Sequence, residues 1–497
     1  MIAAAGRILA RTGRAVHPGT GSPALYLLVG FALRVIMLGK PAFQSDEQFY
    51  LLVGQRMAQG ALPFVDIWDR KPWGLFAIYR GVYLLPFDPV LTYQVLGLAC
   101  SVLTALVIER MARWIAPPRA AQAAGLVYLL WQVVFNAALG QAPVFYNLPV
   151  ALAAMLVVEA CQRKADPLLW RRALVPMLLL GLAMQIKYTA MFEGIGFGLL
   201  LLARGRADGW ALPRLTGVTA LWLLAALSPT AAVMAGYAMA GHLDAFMQSN
   251  FLSIFGRATD HADAYAQLAK ETLAMTPFAL AILLAPHRLS SVRGEMPAAL
   301  PSLRIWAIFA IAGFLAFGTW YDHYLGPVLV PLSILAAPAL ARVRKGERWY
   351  GQLLIGLGLI GAVLVPAFQV REKGDAEDFA AATDLIAHEL RGHCLYVYEG
   401  DSALYRTTNA CIPTRFAYPS HLNAMNEAGA LGVDPVAEVS RVFASKPGVV
   451  VVAESGRPNL PNLATRALVH QRLAESYRRY AGVTLGTRKY GLYRLQN

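Results

Sequence analysis

The sequence predicts a polytopic α-helical membrane protein followed by a small α/β domain. Three observations lead there. The composition is 57% hydrophobic and only 15% charged, with a mean hydropathy of +0.47, well outside the balance of soluble domains. The apolar residues gather into runs long enough to cross a bilayer, roughly 17 to 25 residues each. The basic residues gather in every second loop between those runs, the signature of a fixed membrane orientation.

Taken in order, the runs are Pro23–Gly39, Val90–Ile108, Ala120–Leu139, Val144–Ala160, Ala173–Ile186 and Ala190–Ala203. They continue with Leu215–Ala240, Thr272–Ala285, Ile305–Thr319, Leu325–Leu340 and Leu353–Phe368, which makes eleven. The fifth and sixth are short and read as broken or tilted helices. Arg7, Arg11 and Arg14 precede the first run without a cleavage site, so a retained signal anchor is expected. Arg110, Arg113 and Arg119, then Arg163, Lys164, Arg171 and Arg172, then Arg204, Arg206 and Arg214 fall on the same side. So do His287, Arg288, Arg293 and Arg304, and finally Arg342, Arg344, Lys345 and Arg348. The bias makes that side cytoplasmic. It leaves outside the 40–88 loop, the Gln141–Asn147 turn, Lys187–Tyr188, the 241–270 loop, Asp322–His323 and everything after residue 370.

The first outer loop carries two helical patterns that are too polar or interrupted to span. Asp46–Gln59 places Phe49, Leu52, Val53 and Met57 on one face, and Trp73–Leu85 is apolar but broken by Arg80. Both are expected to lie in the membrane interface. The chain divides into a membrane module, residues 1–370, and an extracytoplasmic α/β domain, residues 371–497. In that domain Phe379–Leu390 reads as an amphipathic helix. Cys394–Glu399, Gly448–Glu454 and Tyr490–Leu495 read as strands, and Ala464–Tyr480 reads as helix.

The net charge of +14 is spread over short loops rather than gathered in a stripe, which argues against nucleic-acid binding. Four cysteines without CxxC spacing make no structural zinc site. No GxxxxGK[ST] occurs, so no ATP-driven pump is indicated. Gly194, Gly196 and Gly198 lie inside a span and read as helix packing. His388, Glu389 and His393 miss the metalloprotease spacing by one residue.

Five constellations carry chemistry. Asp46 and Glu47 are adjacent at the start of a helix, where the dipole favours negative charge. They either mark the solvent boundary or supply a base for an acceptor hydroxyl. Lys71, with Arg70 and Arg56, stands on the face where basic residues are scarce. It either snorkels or binds an anion, and a lipid phosphate is the obvious one. Lys187 with Tyr188, at the tip of two short spans, faces a cavity or reaches water. Asp322, His323 and Tyr324 form a polar outer turn fit for phosphate or sugar. Gln141, Tyr146 and Asn147 serve either turn chemistry or sugar hydroxyls. Cys394 and Cys411 lie 17 positions apart in the exported domain, where an oxidising compartment makes a disulfide the natural expectation. Cys100 and Cys161 read as packing residues.

A first span, then Ser-Asp-Glu, then Lys-Pro at the end of the same outer loop resembles the GT-C glycosyltransferases. The resemblance is greatest to the protein O-mannosyltransferase-like branch that includes the bacterial aminoarabinose lipid A transferase. It covers the whole layout: interfacial helices in the first loop, about eleven spans and a C-terminal extracytoplasmic domain. It implies an enzyme of the bacterial inner membrane with a cytoplasmic N-terminus and a periplasmic C-terminal domain. It also implies transfer of a sugar from a polyprenyl (undecaprenyl) phosphate carrier to a glycolipid, lipid A or core, or another envelope acceptor.

Residue by residue, Asp46 matches the catalytic carboxylate, with Glu47 as the neighbour that orients acceptor or donor. Lys71 matches the carrier-phosphate lysine, assisted by Arg70, Lys187 and His323. Tyr50, Tyr146, Asn147, Tyr188, Asp322 and Tyr324 are the expected substrate contacts. Some relatives hold a divalent metal between two acidic loops. Here the turn after the third span reads Gly-Gln-Ala-Pro-Val-Phe-Tyr-Asn, without a carboxylate, so a divalent metal stays an open alternative that no second acidic loop supports, and no other cofactor is indicated. The readings kept beside this one are a lipid-linked saccharide flippase or transporter, a protein O-glycosyltransferase, a diphosphate-oligosaccharide ligase and a non-catalytic receptor. Charges confined to loop edges and the absence of an internal repeat count against transport.

Overall fold

The computed structural model describes residues 21–41, 43–284, 294–316, 318–341, 349–455 and 460–496. Several residues used above for orientation lie outside them: Arg7, Arg11, Arg14, His287, Arg288, Arg293, Arg342, Arg344, Lys345 and Arg348.

A helix occupies each of the eleven apolar stretches. The membrane part runs α1 (Ser22–Ala32), α2 (Ser45–Ala58), α3 (Trp73–Tyr83), α4 (Pro89–Ala112), α5 (Pro118–Val134), α6 (Ala142–Gln162) and α7 (Leu174–Met184). It continues with α8 (Ala190–Ala207), α9 (Leu212–Met239), α10 (His261–Ala274), α11 (Thr276–Leu283), α12 (Leu300–Leu315), α13 (Leu329–Ala336) and α14 (Trp349–Lys373). Among the described residues five helical runs are long and apolar enough to cross a membrane: Pro89–Ala112, Ala142–Gln162, Leu212–Met239, Pro297–Leu315 and Trp349–Leu390. Burial sorts them. The α6 run is 83% buried and forms the middle of the bundle, while the α9 run is 6% buried and forms its rim. The eighth stretch breaks into α10 and α11 just before Pro277, and the tenth is shortened around Pro331 and Pro338, because a proline removes a donor and crowds the preceding turn.

Past the end of α1, Arg34 is fully buried. Its donors are spent on oxygens: Nε to Ala138 O at 2.7 Å, Nη1 to Gly30 O at 3.0 Å and Nη2 to Gln132 Oε1 at 3.0 Å. A charge this deep is tolerated because its hydrogen-bonding capacity is met inside the protein.

Of the two first-loop helices, α3 buries one face, with Leu75, Phe76, Tyr79 and Val82, while α2 differs from the one-faced helix expected of it. α2 is buried nearly all round, from Glu47 through Gln55, because it is covered on both sides. One cover is α3, whose backbone presses so closely that a Cβ at Gly54 would lie 2.6 Å from the Tyr79 carbonyl carbon. The other cover is the C-terminal segment. Arg56 Nη2 donates to Ala410 O at 2.6 Å, Arg406 Nη2 to Gln48 Oε1 at 3.2 Å, and Trp68 N to Arg415 O at 2.8 Å.

After α15 (Ala376–Leu390) the chain forms strands β1 (Leu395–Val397) and β2 (Val449–Ala453), with α16 (Pro435–Ala444) between them, then α17 (Leu463–Ser476), β3 (Tyr477–Leu485) and β4 (Arg488–Leu495). The sheet order is β1-β2-β4-β3. β1 and β2 are parallel, and β4 is antiparallel to both β2 and β3. Cys394 and Cys411 form a disulfide that ties the start of β1 to the segment covering α2. β2 matches the expected strand within a residue at each end, β1 ends two residues short of the expected Glu399, and β4 begins two residues earlier. β3 corrects the helix expected over Ala464–Tyr480. The helix stops at Ser476 and the chain turns into an edge strand, whose two consecutive exposed arginines, Arg478 and Arg479, break the strand alternation and hid its β character.

Candidate active site

The start of α2 faces a cavity of about 1200 Å³. Asp46, in the first turn of α2, lies on its wall with Tyr50 one turn further on. Lys71 arrives from the end of the first loop. It is placed by a tight crossing in which a Cβ at Gly74 would meet Gln185 O at 2.7 Å and Leu75 N donates to that same oxygen at 3.1 Å. The crossing sets the Lys71–Pro72 turn beside the turn carrying Lys187. Arg70, Tyr146, Lys187, Tyr188, Asp322, His323 and Tyr324 line the same cavity. Residues from 46 to 324 therefore converge on one space.

The carboxylate of Asp46 is well partnered. Tyr418 Oη donates to its Oδ1 at 2.9 Å, and Tyr50 Oη lies 3.4 Å from Oδ2. Burial pushes the Asp46 carboxyl up, but Lys71, His323 and hydrogen bonds from Tyr418 and Gln141 outweigh it and leave Asp46 below its ordinary value. Its neighbour behaves oppositely. Glu47 is fully buried, accepts from Gly140 N at 2.8 Å and is pushed up to about 8 by desolvation. Glu47 does not line the cavity; it pins α2 to the turn before α6. Asn147 is likewise off the wall, donating to Tyr128 Oη at 3.2 Å and Gly326 O at 3.0 Å.

The cations are of two kinds. Lys71 Nζ sits 5.9 Å from the Tyr50 ring centre. Burial opposes its charge, yet the surrounding oxygens of Tyr324, Asp46 and Asp69 hold its value above that of a free lysine. Lys187 Nζ lies 3.7 Å over the Tyr324 ring. Burial first and the nearby Lys71 second bring it down to about 7, with Asp46 pulling the other way. Arg70, in contrast, is committed: its guanidinium forks onto Glu427, whose Oε1 also forms an ion pair with Arg257, 2.9 Å from its Nε. His323 Nδ1 lies 3.3 Å from Asp322 Oδ1, and Asp322 in turn accepts from Asn136. Tyr188 Oη donates to Asn250 Oδ1 at 3.0 Å. Among the described residues no group of three or more His, Cys, Asp or Glu side chains is arranged to hold a metal ion.

With this geometry in view, the comparison with solved structures is decisive for the fold. ArnT from Cupriavidus metallidurans bound to undecaprenyl phosphate superposes with a TM-score of 0.61 at 14% identity, over 94% of this chain and 96% of that one. Its apo form gives the same TM-score over 96% and 98%. The chain has the GT-C fold. The Archaeoglobus fulgidus oligosaccharyltransferase tethered with an acceptor peptide matches at a TM-score of 0.50 and 12% identity, over 96% of this chain and 74% of that one. Neither a protein-family model nor a curated protein matches the sequence. Identities this low speak to the GT-C fold and not to the substrate.

Within this GT-C fold several cavity residues escape a reading of the sequence. Arg257 had a usable signal, since it is a basic residue in the 241–270 loop, which the charge bias leaves otherwise poor in basic residues. Asp69, beside Lys71, hides in a run of charges. It accepts from Lys71 N at 2.7 Å. Tyr418, His421 and Glu427 had no signal, because nothing in the order of the chain tells that residues 401–430 return to cover α2.

Proposed function

We propose that the protein is an inverting glycosyltransferase that moves a sugar from a polyprenyl-phosphate carrier to an acceptor hydroxyl. The observation that carries this reading is the placement of an anionic carboxylate, Asp46, on the same cavity wall as Lys71, Lys187 and His323. A carrier phosphate sits against the two lysine ammonium groups and the His323 ring. The acceptor oxygen attacks the anomeric carbon while the bond from that carbon to the phosphate oxygen breaks. The proton of the acceptor hydroxyl passes to Asp46 and the electron pair leaves with the carrier phosphate. The cations meet that charge as it develops, which is where fixed electrostatics lowers a barrier most. A single displacement inverts the anomeric centre.

Undecaprenyl phosphate as the carrier is suggested by the ArnT complex, and a glycolipid, lipid A or core acceptor by the resemblance that the Ser-Asp-Glu and Lys-Pro motifs carry. The oligosaccharyltransferase likeness favours a protein acceptor as the second reading. The topology proposed is eleven spans in a bacterial inner membrane, with the first loop and residues 371–497 on the periplasmic side. A strain deleted for the gene tests the reading. Mass spectrometry of its envelope glycolipids should lack one sugar-bearing species that the wild-type gene restores. An unchanged glycolipid profile with an altered glycoprotein profile would move the acceptor to protein, and no change in either would overturn the proposal.

A further inference from the structure

The C-terminal segment does more than cover α2. Its Tyr418 reaches the cavity wall and donates to Asp46 Oδ1 at 2.9 Å. The residue is held on both sides. Its ring meets Phe49 edge-on at 5.2 Å and lies 5.4 Å from His421. Upstream, Arg415 O accepts from Trp68 N. Downstream, Glu427 is clamped between Arg70 and Arg257, and Ala258 N donates to Asn426 O at 3.0 Å. Gly256 and Gly429 approach so closely that a Cβ on Gly256 would lie 2.1 Å from Gly429 O. The segment is thus fixed to the first loop and to the 253–258 loop, with Tyr418 between the two anchors.

We propose that Tyr418 is a positioning residue for Asp46, so that residues 401–430 complete the active site instead of standing apart from it. This rests on the reading of Asp46 as the base. A carboxylate that accepts a proton must turn one oxygen toward the acceptor. The hydrogen bond to Oδ1 fixes the carboxylate plane, so that Oδ2, 3.4 Å from Tyr50 Oη, is the oxygen left for the acceptor proton. Groups from every neighbouring element act on Asp46: Glu47 and Tyr50 from its own helix, Tyr79 from α3, Asp69 and Lys71 from the loop, Lys187, His323, and Lys373 at the end of α14. Tyr418 is the contribution of the C-terminal segment, and it helps keep Asp46 ionised.

The test uses membranes from the deletion strain carrying the full-length protein, which contain the native donor and acceptor. Glycolipid product is measured by mass spectrometry across pH 2.5 to 7, because the Asp46 carboxyl is held below the ordinary carboxylate value and its acid limb lies there. Tyr418→Phe should lower turnover at pH 6 by about tenfold, the scale of one lost hydrogen bond to a charged group. It should also move the acid limb of the profile to higher pH, because Asp46 then stays protonated further up. Replacing Tyr418 with 3,5-difluorotyrosine, a stronger donor of nearly the same size, should move the limb the opposite way. Asp46→Asn runs beside them. If it keeps turnover, the base assignment itself has failed. If it is inactive while Tyr418→Phe has a wild-type rate, or loses rate equally at every pH, the positioning role is overturned. Should Tyr418→Phe fail to fold, the fluorinated protein decides: an unmoved limb refutes the proposal.

Discussion

Lys187 gives the sharpest quantitative expectation. It lies over Tyr324 in the cavity, brought down to about 7 by burial and by Lys71. If it holds the carrier phosphate it must be protonated in the complex, so binding takes up a proton whenever the free enzyme has lost it. With a free-state value near 7, linkage gives an apparent Kd raised about 1.1-fold at pH 6 and about 11-fold at pH 8. The phosphate titrates too, near pH 6, so the ligand's own charge must be cancelled. Lys187→Arg does that, since arginine stays charged throughout. The quantity to measure is the ratio of Kd values, wild type over Lys187→Arg, for undecaprenyl phosphate by native mass spectrometry in nanodiscs. It should rise about tenfold between pH 6 and pH 8. Lys187→Met should weaken binding at pH 6 by roughly ten- to hundredfold, as expected for a lost charge-assisted hydrogen bond. A ratio flat across this range, together with unimpaired binding by Lys187→Met, would refute the placement of the phosphate against Lys187.

Two stability predictions follow from contacts outside the cations. Glu427 is depressed to about 2: burial pushes it up, but Arg70 and Arg257 prevail. Its contribution is therefore present above about pH 4.5 and lost as pH falls toward 2. Glu427→Gln should lower stability at pH 7 by about 2–3 kcal/mol, because two partly buried guanidinium groups lose their partner, and should flatten the acid dependence of the melting temperature. A variant that melts like wild type at pH 7 would show that the triad is not anchoring the segment. The Cys394–Cys411 disulfide spans 17 positions and should contribute about 3 kcal/mol. The double Cys→Ser protein should melt lower by the same amount that dithiothreitol lowers wild type, and additivity of the two treatments would refute that source.

The fold was largely readable in the sequence because membrane helices announce themselves by length and apolarity. Each expected stretch holds a helix, and the departures fall at Pro277, Pro331 and Pro338, where a run of apolar residues conceals a broken backbone. The first loop was readable at Asp46 and Lys71, whose polarity stands out between spans. It was not readable that Arg70 would be spent on Glu427, since that pairing joins positions 357 apart. Nor was the burial of Glu47 readable. Adjacent residues on a helix point about 100° apart, so Asp46 faces the cavity and Glu47 faces the Gly140 turn. The α/β segment was the least legible part. Its strands β1 and β2 are runs of buried apolar residues, but the edge strand β3 and the return of Tyr418 onto α2 depend on contacts distant in sequence.

The most direct measurement of the central claim is the glycolipid mass profile of the deletion strain restored with Asp46→Asn. The substitution keeps size and hydrogen-bonding capacity at Oδ1 while removing the charge that accepts the proton. The account predicts a protein that is folded, membrane-inserted and able to bind undecaprenyl phosphate, yet restores less than about one hundredth of the sugar-bearing species, in line with the loss of a general base. Restoration to wild-type levels would contradict it and place the chemistry elsewhere than at the start of α2.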